Sequence, residues 1–135
     1  MQKIPAKYKV AISIIVIASI VLTVLILIAK SKRQYIDYPM EGRTYHLLVA
    51  DTPAEREKGL MNIREKKGFD GMIFIFSKKD YQTFWNKNTY LDLDLYWIDG
   101  KNIVGKSFLP SIEESKSIVR ENSPGKIDKV IEIIR

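Results

Sequence analysis

The chain is 135 residues long, enough for about one domain, and contains no cysteine. That excludes disulfides, thiolate nucleophiles and Cys-ligated metals. The net charge of +6 suggests a nucleic-acid binder, but six of the 22 basic residues lie ahead of residue 34. The remaining 16 balance the 16 acidic ones, so the later segment is formally neutral and no nucleic-acid partner is expected.

Residues 1–9 form a basic flank with Lys3, Lys7 and Lys9. Residues 10–29, VAISIIVIASIVLTVLILIA, carry no charge. At helical rise they span ~30 Å, the thickness of a bilayer's hydrocarbon core. A cleaved signal peptide has an apolar region of roughly 7–15 residues, shorter than this one. Ala29-Lys30-Ser31 resembles a cleavage site only loosely, because a lysine interrupts it. A retained transmembrane helix is therefore expected, with the lipid bilayer as its partner. Lys3, Lys7, Lys9 and the terminal amine face Lys30, Lys32 and Arg33 across it. This small excess places the N-terminus in the cytoplasm and the C-terminal domain outside.

Residues 30–42 read as a charged tether, and the domain as 43–135. RTYHLLVA, 43–50, has strand composition. In DTPAEREKGL, Thr52 and Glu55 form a capping box, Pro53 suits the first helical turn, and Gly59 can end the short helix. GMIFIF, 71–76, is apolar on both faces, as in a strand buried on both sides. QTFW follows a polar turn. Leu91–Ile98 and NIVGKSFL, 102–109, form a hairpin through Asp99-Gly100. Residues 110–124 are polar, with Ser111 and Glu114 as a second capping box, and KVIEII, 129–134, is the last strand. These elements predict an α+β, β-rich fold: a compact barrel-like or sandwich-like sheet with one or two short helices, preceded by a single transmembrane helix.

Alternation on the strand from Leu91 puts Leu91, Leu93, Leu95 and Trp97 on one face. Asp92, Asp94, Tyr96 and Ile98 lie on the other. The two aspartates, ~6.5–7 Å apart, point in parallel and do not converge on one bond, as paired glycosidase carboxylates must. A wetter strand face accounts for them more simply. His46 is the only histidine and lacks the partners of a triad or metal site, so it reads as structural. Arg56 is expected to pair with Asp94 and hold helix to sheet, or to bind an anion. Met61 and Met72 read as core fillers, Asn88 and Thr89 as turn formers, and Trp85 and Trp97 as core or semi-buried anchors. No metal or cofactor site emerges.

TPAEREKGLM, GMIFIF, FWNKNTYLDLDLYWIDG and SPGKIDKVIEI, in this order and spacing, resemble the "domain of unknown function 192" family over about residues 43–134. The resemblance implies a compact β-rich, barrel-like domain that often follows a signal peptide or membrane segment, with no established general activity. Its motif falls on Arg56, Gly59, Leu60, Met61, Gly71, Met72, Phe74, Trp85, Lys87, Asn88, Thr89, Leu93, Asp94 and Glu132. Asn86 stands where the family has methionine in W-M-K-N-T, and Asp92 where it has proline. Ile63 stands where an arginine follows G-L-M, and Arg135 ends the chain where relatives continue with a glycine-containing extension. Arg56, Trp85, Lys87, Asn88, Thr89, Asp94 and Glu132 are thus expected to form a polar cluster, binding or structural. The expected function is a non-enzymatic, membrane-anchored module for an envelope ligand or protein. The alternative is a hydrolase using Asp94 with Arg56 or Glu132.

Overall fold

The computed structural model describes residues 5–30 and 33–135. Lys3 of the basic flank and Ser31 and Lys32 of the tether lie outside the described residues. The chain divides into two units, Met1–Arg33 and Gln34–Arg135. In the first, helix α1 spans Ala6–Lys30. Its stretch Tyr8–Ile26 is long and apolar enough to cross a membrane, a test that a signal sequence also passes. Side chains such as Ile14, Ile15 and Leu22 are exposed.

In the second unit, strands β1 (Tyr35–Met40), β2 (Arg43–Ala50), β3 (Gly71–Asp80), β5 (Leu93–Asp99), β6 (Asn102–Leu109) and β8 (Ile127–Ile134) form one sheet. The order is β1-β2-β3-β8-β5-β6. Only β2 and β3 are parallel, joined by a crossover that contains helix α2 (Pro53–Lys58). A two-stranded ribbon of β4 (Thr83–Trp85) and β7 (Arg120–Asn122) completes the strands, and helix α3 spans Ile112–Ser115. The fold is β-rich with short helices, as the sequence predicts, in an open sheet and not a closed barrel.

Strand β1 departs from the tether expected over residues 30–42, because residues 35–40 of it are paired in the sheet. Pro39 and the mixed polarity of YIDYPM mask a strand signal. An edge strand tolerates proline because one row of its backbone groups has no ladder to join. Glu41 (φ 53°) and Gly42 (φ 77°) both take left-handed conformations at the turn into β2, as a two-residue hairpin requires. The Glu41 carboxylate reaches the other end of the sheet, accepting from Tyr96 Oη at 3.3 Å and meeting Lys106 Nζ. The sheet is therefore curled.

Alternation divides the core between the two sheet faces. On one, Leu48, Phe74, Leu95, Trp97 and Val130 pack with Leu60 and Phe69. Phe84 brings the β4–β7 ribbon onto this face, meeting Phe74 and Trp97 edge to face at 4.7 and 5.7 Å. On the other, Tyr45, Leu47, Ile73, Tyr96 and Ile131 pack with Met40. The β3 segment GMIFIF is apolar throughout because β3 is internal and both its faces are covered.

Candidate functional site: a cleft over a buried glutamate

Helix α2 forms one wall of the cleft. Thr52 Oγ1 accepts from the Glu55 backbone, and Glu55 Oε2 accepts from the Thr52 backbone N–H at 3.0 Å. This is the T-x-x-E box expected from the sequence. The chain then reverses at Gly59 (φ 48°), whose N–H donates to the Glu55 carbonyl at 2.8 Å. The turn delivers Leu60 into the core and Met61 to the cleft wall. Arg56 Nη1 donates to the carbonyls of Asp51 and Ile75, the latter at 3.0 Å, and its guanidinium lies 5.4 Å from the Phe76 ring centre. Arg56 thus ties helix to sheet through backbone carbonyls and an aromatic ring. The expected partner, Asp94, is not involved.

Opposite α2 stands β4 with Phe84 and Trp85, and between them lies a cleft of about 230 Å³. Phe74, Phe76, Leu60 and Thr89 also line it, and Glu132 is its sole lining residue from β8. Glu132 pairs with Met72 of β3 and Leu95 of β5, so its side chain shares the face of Val130 and Ile134. It is only 4% exposed, and its Oε2 has no hydrogen-bond partner among the described residues. Removal from water disfavours the charged form and pushes its pKa up to about 8. A buried carboxyl with an unpartnered oxygen, in a cleft lined in part by Phe74, Phe76, Phe84 and Trp85, is the kind of buried polar exception that marks a site.

Of the seven candidate residues, the structure brings Arg56, Trp85, Thr89 and Glu132 to this cleft. Trp85, 40% exposed, has two cations near its ring, Lys87 Nζ 5.3 Å and Arg120 Cζ 5.7 Å from the ring centre. Asn88 adopts a left-handed conformation (φ 53°), and its carbonyl accepts from the Asn62 N–H at 2.8 Å. Thr89 is buried, and its N–H donates to the Asn86 carbonyl at 3.0 Å. Both are the turn formers the sequence suggested.

Lys87, Asn88 and Asp94 are not among the lining residues, and Asp94 is turned away from the cleft altogether. It pairs with Ile133, one position from the register that sets Leu95 beside Glu132, and therefore points to the opposite face of the sheet. There it accepts from Arg135 Nε at 2.9 Å. Its expected pairing with Arg56 is not formed, and a hydrolase pairing Asp94 with Arg56 or Glu132 loses its geometry. Asp92 lies just before β5 and accepts from the Ser111 N–H at 2.7 Å. The neighbouring Glu114 has its pKa raised, first by a hydrogen bond to the Asp92 carboxylate and then by that group's charge. His46 lies away from the cleft, bonded to Asp37 at 2.7 Å and stacked on Tyr35. Among the described residues, no three His, Asp or Glu side chains converge as a metal site.

Asn86, treated in the sequence only as a departure from the family motif, is fully buried. Its Nδ2 donates to Pro110 O at 2.9 Å and Ser115 Oγ at 2.8 Å, while its Oδ1 accepts from the Val119 N–H at 2.9 Å. It therefore pins the α3 segment beside the β4 wall. Its polar character within an otherwise apolar motif position was the available signal.

Comparison with known proteins agrees with this architecture. The model of the DUF192 family, described as "Uncharacterized ACR", matches residues 36–135. No curated protein matches the chain. A crystal structure of a provisionally assigned transcription regulator from Sinorhizobium meliloti 1021 is similar, at 29% identity and a TM-score of 0.59. That match covers 77% of this chain and 84% of the other. A protein of unknown function from Novosphingobium aromaticivorans DSM 12444 shares the fold at 23% identity and a TM-score of 0.57. It covers 78% of this chain and 84% of that one.

Proposed function

We propose, for a chain that belongs to the DUF192 family, that it is a membrane-anchored, non-enzymatic module that captures a small envelope molecule in the cleft over Glu132. The observation that carries this reading is the Glu132 carboxyl itself. It is buried, leaves one oxygen unpartnered, and lines a concave surface to which Phe74, Phe76, Phe84 and Trp85 contribute aromatic rings. Such clefts bind small molecules by burying apolar area and fix their orientation through a few polar groups. The transcription-regulator assignment of one structural neighbour is not extended to this chain, because residues 34–135 carry balanced charge and offer phosphate binding no net support.

The anchor is α1. Its apolar length supports a retained span, and the basic residues at 3, 7 and 9 support an extracytoplasmic domain. Full-length protein is expected to stay in the membrane fraction after high-salt and alkaline washing. A mature chain beginning near Lys32 would overturn the anchor.

The cleft is tested by titrating the full-length chain, held in lipid nanodiscs, with a library of small aromatic fragments. The readout is the NMR signal of the Trp85 indole. Fragments are expected to shift it in the native chain and not in Met61→Trp, which fills the cleft wall. Equal shifts in both proteins, or none in the native one, would refute a binding cleft.

A further inference from the structure

The cleft poses a specific chemical question: what would satisfy the Glu132 Oε2 that the described residues leave without a partner? Glu132 comes from the middle of an internal strand, held between Met72 and Leu95. Its position is thus fixed by two ladders, and it cannot swing out to water. Among the described residues, the other charged groups that line the cleft come from α2: Arg56, Glu57 and Lys58. Strands β3 and β4 contribute Phe74, Phe76, Phe84 and Trp85 to the lining, and no ionisable group. Arg56 is engaged by Asp51 O, Ile75 O and the face of Phe76, and forms no ion pair with Glu132 among the described residues. The floor therefore combines one unneutralised acid with several aromatic rings.

Aromatic rings attract a cation through their quadrupole, and the attraction grows when water is excluded. A carboxylate beside such rings supplies the opposite charge and a strong acceptor. From this juxtaposition we infer that the cleft is a receptor for a small organic ammonium, with an apolar body against Phe74 and Phe84 and its N–H groups donating to Glu132. The inference rests on the binding-cleft reading above and names its ligand class. Of the cations that line the cleft, Arg56 is already engaged by the Asp51 and Ile75 carbonyls and the Phe76 ring, and Glu57 adds a second negative charge to the same lining.

Ionisation is coupled to binding in this arrangement. Burial keeps Glu132 protonated at neutral pH in the empty cleft. An incoming ammonium stabilises the carboxylate, and the carboxyl proton leaves to solvent. Charge balances: a neutral acid and a cation become an ion pair and a released proton. A neutral ligand hydrogen-bonded to the same acid releases none.

The test is calorimetric titration of the full-length chain, in nanodiscs of neutral phosphatidylcholine, with benzylammonium, benzyl alcohol and benzoate at pH 7. Each is run in two buffers of different ionisation enthalpy to count protons. Benzylammonium is expected to bind tightest and to release close to one proton. Glu132→Gln should remove the proton release and weaken benzylammonium by about tenfold or more, with benzyl alcohol little affected. The proton count needs only the native chain, so it stands even if that variant folds poorly. Benzyl alcohol binding as tightly as benzylammonium, without proton exchange, would overturn the ammonium and leave the cleft intact. Tightest binding of benzoate would do the same. Binding of none of the three, with the Trp85 indole signal unmoved, would overturn both the ligand class and the cleft.

Discussion

Asp94 and Glu132 lie on adjacent, hydrogen-bonded strands yet face opposite sides of the sheet. Asp94 stands beside Ile133, and Leu95 beside Glu132. The two carboxylates belong to separate environments, one half-exposed and paired with Arg135, the other buried and unpaired.

Asp94→Asn should therefore cost less than about 1 kcal/mol, the usual worth of a partly exposed ion pair. Combined with Arg56→Gln, it should be additive within about 0.5 kcal/mol. Denaturant midpoints of the two single variants and the double variant decide this. A coupling above about 1 kcal/mol would place Asp94 in contact with Arg56 and contradict the observed register.

Glu132 makes stability fall as pH rises. Its folded pKa of about 8 lies above an ordinary carboxyl value near 4.5. Below pH 4.5 both folded and unfolded chains hold the proton, and there is no penalty. Between the two values only the folded chain holds it, so stability declines with pH until about 8 and then levels off. The full decline is roughly 4–5 kcal/mol as an upper estimate. Glu132→Gln should flatten this component of the profile, and so should become progressively more stable than the native chain above pH 5. Parallel profiles for the two proteins across urea melts at pH 5, 7 and 9 would show that the carboxyl is ordinarily solvated.

Asn86→Met restores the residue common in the family motif at this position, yet is expected to destabilise this chain by about 2–4 kcal/mol. It leaves the Pro110 carbonyl, the Ser115 hydroxyl and the Val119 N–H without the Asn86 side chain. Stranding buried polar groups in this way costs about 1–3 kcal/mol each before any water re-enters. Thermal melts measure it, and a change under 0.5 kcal/mol would mean that the α3 segment is held by other contacts.

Gly71→Ala should prevent the sheet from closing normally. A methyl there would collide with the Glu132 carbonyl across the β3–β8 ladder, where neither backbone can yield without breaking pairing. The cost is expected to exceed about 3 kcal/mol, in the range of severe core overpacking. Far-UV circular dichroism and a melt read it directly, and a native-like melting temperature would refute the close approach.

Local features of this fold were legible because their physics is local. Twenty uncharged residues fix a span-length helix whatever lies downstream. Thr52 and Glu55 cap α2 through bonds only three residues apart. The apolar run GMIFIF identifies an internal strand because both its faces are dry. Strand β1 escaped, since Pro39 and the alternating polarity of its neighbours carry little propensity. What makes it a strand is pairing with β2, Tyr35 through Met40 against Leu48 through Arg43.

The sequence by itself determined which residues are apolar, where the chain turns, and that Arg56, Trp85, Thr89 and Glu132 belong to one motif. Only the tertiary structure decided which of the motif's acids shares their cleft. Alternation fixes the relative faces of residues on one strand, but the relation between two strands depends on register and on which strands are neighbours. The last strand, β8, inserts between β3 and β5 and brings Glu132 to the face of Phe74 and Leu95. The same pairing turns Asp94 away, to the end of the sheet where Arg135 waits. A shift of one residue in the β5–β8 register would exchange the two carboxylates' relation, and no property of either segment alone specifies that choice.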